Sequence, residues 1–199
     1  MNNIVELYLL HYSSLDINDN RYYSLLSDDE KKYISTLNNL EVKKEKLFSL
    51  LLKKKYIGSY FIDEKGKPKS DKIKFNISHS NEYMVLVKND LYEIGVDIEL
   101  IREYKKDLVD KICNSEEKKY IQDDKSFFEI WTNKESLVKS YGSGIISSMK
   151  EIPSLPLNGL KKYSNSFWYS KSFIKNSYVI SVTLKSKENF DIIFNEATI

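Results

Sequence analysis

The tightest constraint on this chain is the stretch Ile94-Gly-Val-Asp-Ile-Glu99. It alternates strictly, with Ile94, Val96 and Ile98 in one set and Gly95, Asp97 and Glu99 in the other. In a strand, successive side chains point to opposite faces, so one face is apolar and the other carries two carboxylates side by side. Carboxylates held that way repel each other unless a cation lies between them. Hard cations such as Mg²⁺ bind through one or two carboxylates plus substrate phosphates, which makes Asp97 and Glu99 a candidate metal pair. A half-solvated amphipathic strand has the same pattern, so from these residues alone both readings stand. Just upstream, Phe75-Asn-Ile-Ser-His-Ser80 reads as a short strand ending in a polar tip.

The surrounding composition is that of an ordinary soluble protein. The 199 residues suffice for one domain or two small halves around a real core. Hydrophobic residues make up 41% and the formal net charge is only +2, which argues against a protein built to coat nucleic acid. The single cysteine, Cys113, permits no intrachain disulfide and fits a reducing compartment. The apolar run at residues 4–10 is broken by Glu6 and preceded by no positive charge, so it is not a signal peptide. No stretch has the ~18 uninterrupted apolar residues of a membrane span, and a cytoplasmic protein is expected.

Residues 4–12 predict a buried first strand, with His11 at its end in no assigned role. Ser27 and Glu30 have capping-box spacing and predict a helix start. A longer helix is expected over 40–60, its core side built from Leu47, Phe48, Leu50, Leu51 and Leu52. Its lysines are either a solvated face or a phosphate-binding edge. Gly66 and Pro68 mark a turn. Strands are expected over 73–77, 83–88 and 91–99, the last two as a hairpin. His79 sits among hydroxyls at a strand exit, a context for ligand contact. Helices are expected over 102–112, 115–122 (capped by Ser115) and 126–141, and strands over 167–174, 178–184 and 190–194. On the helix 126–141, Trp131, Glu135 and Lys139 are four apart and share one stripe. Such a Glu–Lys pair is commonly a surface salt bridge, but the tryptophan on the same stripe marks a partly buried wall.

Together these pieces carry a resemblance. Gly66-Lys-Pro68, Phe75–Ser80, Gly95-Val-Asp-Ile-Glu99 and Trp131-Thr-Asn-Lys-Glu-Ser136, followed by Lys139 and Gly142-Ser-Gly144, resemble in order and spacing the 4′-phosphopantetheinyl transferases of the surfactin-synthetase-activating type. The resemblance spans roughly residues 64–145. It implies an α/β (α+β) fold of two pseudo-symmetric halves, 1–100 and 101–199, each a small antiparallel sheet packed with helices, with the active site at the seam. The first half would carry coenzyme A-binding elements and the second the catalytic helix. It implies a monomer that moves the 4′-phosphopantetheine arm of coenzyme A to a serine of an apo acyl or peptidyl carrier protein. Adenosine 3′,5′-bisphosphate would be released, with Mg²⁺ as cofactor and Mn²⁺ as a substitute.

By the same resemblance Asp97, Glu99 and Glu135 would hold the metal, and Glu135, Lys139 and Asp97 would be catalytic. Glu135 would act as base for the carrier serine and Lys139 would neutralise phosphate charge. Lys31, Lys46, Lys67, Ser78, His79 and Lys139 would contact coenzyme A. Lys32, Lys43 and Lys44 are substitutes for the first two, and Glu117 matches an acidic position of accessory role. Lys105, Lys106, Lys111, Lys118 and Lys119 are either a basic rim toward an acidic carrier or, given the interleaved Asp and Glu, an ordinary mixed surface. Two other classes share part of the pattern. A Mg²⁺-dependent phosphohydrolase would share the carboxylates but not need the Ser-His-Ser tip, and a non-catalytic binder of coenzyme A or carrier protein would not need Asp97, Glu135 and Lys139 together.

Overall fold

A computed structural model describes residues 3–142 and 148–199. The chain opens with β1 (Asn3–His11), followed by helices α1 (Asn20–Ser24), α2 (Asp28–Ser35) and α3 (Leu40–Tyr56). Two short strands, β2 (Phe61–Ile62) and β3 (Pro68–Lys69), hold the Gly66 turn between them. Then come β4 (Lys74–Ser80), β5 (Tyr83–Asn89) and β6 (Ile94–Leu100). Helices α4 (Lys106–Ile112), α5 (Ser115–Tyr120) and α6 (Asp124–Tyr141) lead to the strands β7 (Gly159–Tyr163), β8 (Ser166–Lys175), β9 (Tyr178–Leu184) and β10 (Phe190–Glu196). Among the described residues no helix is long and apolar enough to cross a membrane.

The α/β class with small sheets packed by helices is as the sequence predicts, but the strand pairing differs. The first sheet runs β10-β1-β5-β4 and is antiparallel apart from the β1–β10 pair; the second, β6-β9-β8-β7, is antiparallel throughout. The expected hairpin over 83–99 does not form. β5 is already flanked by β1 and β4, so it offers no edge, and β6 pairs with β9 instead. The turn at Asn81 makes the hairpin one strand earlier, between β4 and β5. Asn81 takes a positive φ of 47°, a conformation that asparagine tolerates better than most residues.

The two sheets share one core. Val5, Leu7, Leu9, Val85 and Val87 of the first sheet pack on Ile94, Val96, Ile98, Ile180, Val182 and Leu184 of the second. Leu10, Met84 and Leu86 point the other way, into the side chains of α2 and α3. This is the period-two logic of a sheet covered on both faces. The reverse face of the second sheet carries α6, and it is largely polar. Thr132 Oγ1 shares a hydrogen bond with Ser181 Oγ (2.8 Å) and Ser136 Oγ with Thr183 Oγ1 (2.7 Å). Asn133 donates to Ser172 Oγ (2.9 Å). These buried hydroxyls are all partnered, which is what lets them sit inside at little cost.

Caps define the helix ends. Ser27 and Glu30 form the expected capping box. α5 is capped by Asn114 rather than Ser115, with Glu117 closing its box. Asp123 starts α6 two residues earlier than periodicity suggests, and Gly142, in the left-handed region at φ 70°, ends it. The Ser143-Gly144 part of the expected terminus lies outside the described residues.

Candidate active site

The acidic face of β6 lies between β4 and α6. Gly95 makes the close approach to the helix possible. A β-carbon there would sit 2.0 Å from the Ser136 carbonyl oxygen and 2.4 Å from the Ser140 nitrogen, both backbone atoms. Only hydrogen fits, so helix and strand come within backbone contact at that point. Two residues on, Asp97 meets the next turn of the same helix. Lys139 Nζ donates to Asp97 Oδ1 at 2.6 Å and to Ser78 Oγ at 2.8 Å. Ser78 Oγ in turn donates to Asp97 Oδ1 at 2.9 Å.

The other contacts across the seam come from β4 at period two. Asn76 Oδ1 accepts from the Val96 N–H (3.1 Å). Ser80 Oγ donates to Glu99 Oε2 (3.0 Å) and accepts from the Leu100 N–H (3.3 Å). Asn76, Ser78 and Ser80 thus zip the edge of the first sheet to β6. The polar tip read from sequence is the last part of a strand whose polar side chains take the place of a backbone ladder.

Electrostatics single out the same corner. Burial raises the Asp97 carboxyl above the ordinary carboxylate range, although Lys139 and Ser78 pull it down. Burial, then repulsion from Asp97, raises Glu135 as well, with Lys139 opposing and Glu99 adding to the rise. Glu135 lies about one helical turn before Lys139 on α6, the turn that meets Asp97, so these charges reach it. Asp97 Oδ2 is buried with no hydrogen-bond partner among the described residues. A buried acceptor left unmatched is costly, and a cation at that point would satisfy it. Glu99 is turned toward Ser80 and Arg102, whose Nη1 lies at 3.1 Å. Among the described residues no three His, Cys, Asp or Glu side chains converge with metal-ligand geometry. The chemistry of the donor set still fits a hard cation: an orphaned carboxylate oxygen, a second acid held up by its neighbour, and a third nearby.

The other residues marked in the sequence fall into separate places. His79 follows Ser78 by one residue and so faces the opposite side of β4. There its Nε2 lies 3.0 Å from Glu45 Oε1 on α3. Lys46 Nζ meets the same oxygen at 2.8 Å. Lys31 Nζ pairs with Asp28 (3.3 Å) inside α2. Lys67 reaches the end of α6, where its Nζ donates to the Lys139 carbonyl (2.7 Å) and burial lowers its pKa. A lysine donating to the last carbonyls of a helix also complements its dipole. Glu117 is buried against Lys134 Nζ (2.8 Å) and accepts from Ser154 Oγ (2.6 Å). A cleft of about 320 Å³ opens beside Glu99, with Arg102, Leu108, Phe128 and Trp131 among its walls.

Three residues were missed in the sequence: Lys134, Gly95 as a contact point, and Glu45. Lys134 precedes Glu135 by one residue, a rotation of about 100° on the helix, which was a signal that it faces inward. In the sequence Gly95 belongs to the alternating pattern and to the Gly95–Glu99 motif, neither of which gives it a contact. A glycine inside a strand is itself a hint of close backbone approach.

Comparison with known proteins bears on this corner. Residues 93–186 match the model of the 4′-phosphopantetheinyl transferase superfamily, a span that holds Asp97, Glu99, Glu117, Glu135 and Lys139. A 4′-phosphopantetheinyl transferase gsp from Aneurinibacillus migulanus is 34% identical over 117 residues, covering 55% of this chain and 43% of that protein. The 4′-phosphopantetheinyl transferase AcpT of Salmonella typhi is 31% identical over 105 residues, covering 46% of this chain and 55% of that protein. The matched region thus spans about half the length of these relatives. The match runs from the acidic strand through the Trp131–Lys139 helix to β9, so the part of the chain that holds this corner is similar to the 4′-phosphopantetheinyl transferase superfamily.

Proposed function

We propose that this protein transfers the 4′-phosphopantetheine arm of coenzyme A to a serine hydroxyl of an apo acyl or peptidyl carrier protein and releases adenosine 3′,5′-bisphosphate. The observation that carries the reading is the corner where Lys139, Ser78 and Asp97 meet, with Asp97 Oδ2 left over and Glu135 alongside. In the reaction the serine Oγ forms a bond to the pantetheine-bearing phosphorus. The bond from that phosphorus to the bridging oxygen breaks, and the oxygen leaves on the adenosine bisphosphate. Glu135 takes the serine proton. Its raised affinity for a proton suits it to that task. Lys139, anchored by Asp97 and Ser78, stands ready for the charge on the leaving phosphate, and fixed charge of this kind does most of the work in phosphoryl transfer.

Asp97, Glu99 and Glu135 are the residues that would hold Mg²⁺, or Mn²⁺ in its place. When bound, the ion supplies charge neutralisation for the diphosphate and template orientation. The first hundred residues supply the coenzyme A contacts, among them Lys31, Lys46, Lys67, Ser78 and His79. The remainder carries the catalytic helix. The cleft of Arg102, Leu108, Phe128 and Trp131 beside Glu99 is apolar enough for the arm or the approaching carrier surface. A cytoplasmic monomer is part of the same reading, and the free, buried Cys113 fits a reducing compartment.

The test is to incubate the protein with coenzyme A, Mg²⁺ and a panel of apo carrier proteins, then weigh the carriers. A mass gain of one phosphopantetheine arm, lost on adding chelator and at least partly restored by Mn²⁺, is expected. Phosphate release with every carrier mass unchanged would replace this reading with a phosphohydrolase.

A further inference from the structure

On the α3 side of the first sheet a single carboxylate oxygen meets two basic side chains. Glu45 Oε1 receives both His79 Nε2 (3.0 Å) and Lys46 Nζ (2.8 Å). The acid lies behind its partners: the Glu45 side chain is 17% exposed, whereas those of His79 and Lys46 are each 44% exposed. The Lys46 ammonium and the His79 imidazole therefore face solvent and are held from the inside. Lys53 is close enough for the charge on Lys46 to lower its pKa, after the larger effect of its own burial. Glu30 acts on Lys53 in the opposite sense, so Glu45 is the acid that His79 and Lys46 share.

We infer that Glu45 is a built-in stand-in for a phosphate. It holds His79 and Lys46 in place while the site is empty and competes with the ligand phosphate for them. The inference rests on the coenzyme A reading above. A phosphate monoester brings nearly two negative charges and three acceptor oxygens, against one charge and two oxygens on a carboxylate. It therefore wins the cations, but at an affinity lowered by the anion it must displace or approach. Glu45 thus sets how strongly this cluster discriminates a nucleotide with a 3′-phosphate from one without it.

Calorimetric titration with adenosine 3′,5′-bisphosphate and with AMP, which lacks the 3′-phosphate, separates this from a scaffolding salt bridge. Glu45→Gln keeps the shape and removes the charge; Glu45→Asp keeps the charge on a shorter arm. Like-charge interactions at partly exposed distances of a few ångströms correspond to roughly a tenfold effect. Glu45→Gln should bind the bisphosphate roughly tenfold tighter than wild type, with AMP changed by less than about threefold, whereas Glu45→Asp should stay near wild type. Bisphosphate affinity unchanged or weaker in Glu45→Gln, with coenzyme A still bound by wild type, overturns the stand-in and leaves the transferase reading intact. Failure of wild type to bind coenzyme A or the bisphosphate overturns both.

Discussion

Two lysine–carboxylate pairs sit five residues apart on α6 and behave in opposite ways. Lys134 and Glu117 are sealed, at 0% and 1% side-chain exposure. The Lys134 ammonium is saturated by Glu117, the Ile152 carbonyl (2.6 Å) and the Met149 carbonyl (3.0 Å). Glu117 is saturated by Lys134, Ser154 and its own cap at Asn114. Lys139 and Asp97 are 29% and 7% exposed, and one oxygen of the acid has no partner among the described residues. The first pair ties α5 and the segment 149–154 to the helix and has no valence left for a ligand. The second has spare valence and access to solvent. Satisfaction of hydrogen-bonding capacity, rather than the presence of an ion pair, separates a strut from a site.

The comparison can be broken most sharply through activity. Asp97→Ala and Glu135→Ala should each lower carrier transfer at least about a hundredfold, the scale at which a positioned charge or proton acceptor acts. Neither should move the melting temperature by more than a few degrees, because Asp97 already has an unmet acceptor and Glu135 is only partly buried. Transfer rates near wild type in either variant would remove the corner from the mechanism.

The sealed pair should respond the other way round. Lys134→Met strands the Glu117 carboxylate in the core, and breaking a buried pair typically costs about 3–5 kcal/mol. For a chain of this size that corresponds to roughly 10 °C or more in melting temperature. Adding Glu117→Leu should recover much of the loss, since replacing both partners by apolar groups is often close to neutral. Transfer per folded molecule should stay within a few-fold of wild type in the double variant. A double variant as unstable as Lys134→Met alone would show that the carbonyls of Met149 and Ile152, not the ion pair, are what the lysine serves.

The same contrast explains what was legible beforehand. The acidic strand and the Trp131–Glu135–Lys139 stripe follow from period two and period four, because side-chain direction is fixed by local backbone geometry. Pairing partners are not local. The chain gives no sign that β6 leaves β5 for β9, or that β10 returns to lie parallel to β1, since both depend on which sheet edges are free. Ser78 and His79 look like one polar tip on paper, yet strand alternation sends them to opposite faces, one to Asp97 and the other to Glu45. β7 went unseen because its pattern is inverted: Leu160 is exposed while Lys161 is buried.

Lys161 provides the finest probe of the sealed side of α6. Its ammonium faces Asn133 Oδ1, with Lys134 and Glu117 the nearest charges that act on it, and burial drives its pKa down from 10.5 to about 7. An unfolded lysine titrates near 10.4. Between about pH 7 and pH 10.5 the unfolded chain therefore binds more protons at this residue than the folded one, and stability rises with pH across that window. Below it the lysine is charged in both states, the slope vanishes and the whole cost of burying charge is present. Lys161→Met removes the titration while leaving Asn133 Oδ1 short of a donor, a loss that does not vary with pH. The stability of Lys161→Met relative to wild type should thus be most favourable at pH 6.5 and decline by roughly 3 kcal/mol, on the order of 10 °C in melting temperature, by pH 9.5. Parallel melting curves across that range would mean that the amine keeps its proton in the core. The closed side of the helix would then carry two lysine charges against one carboxylate.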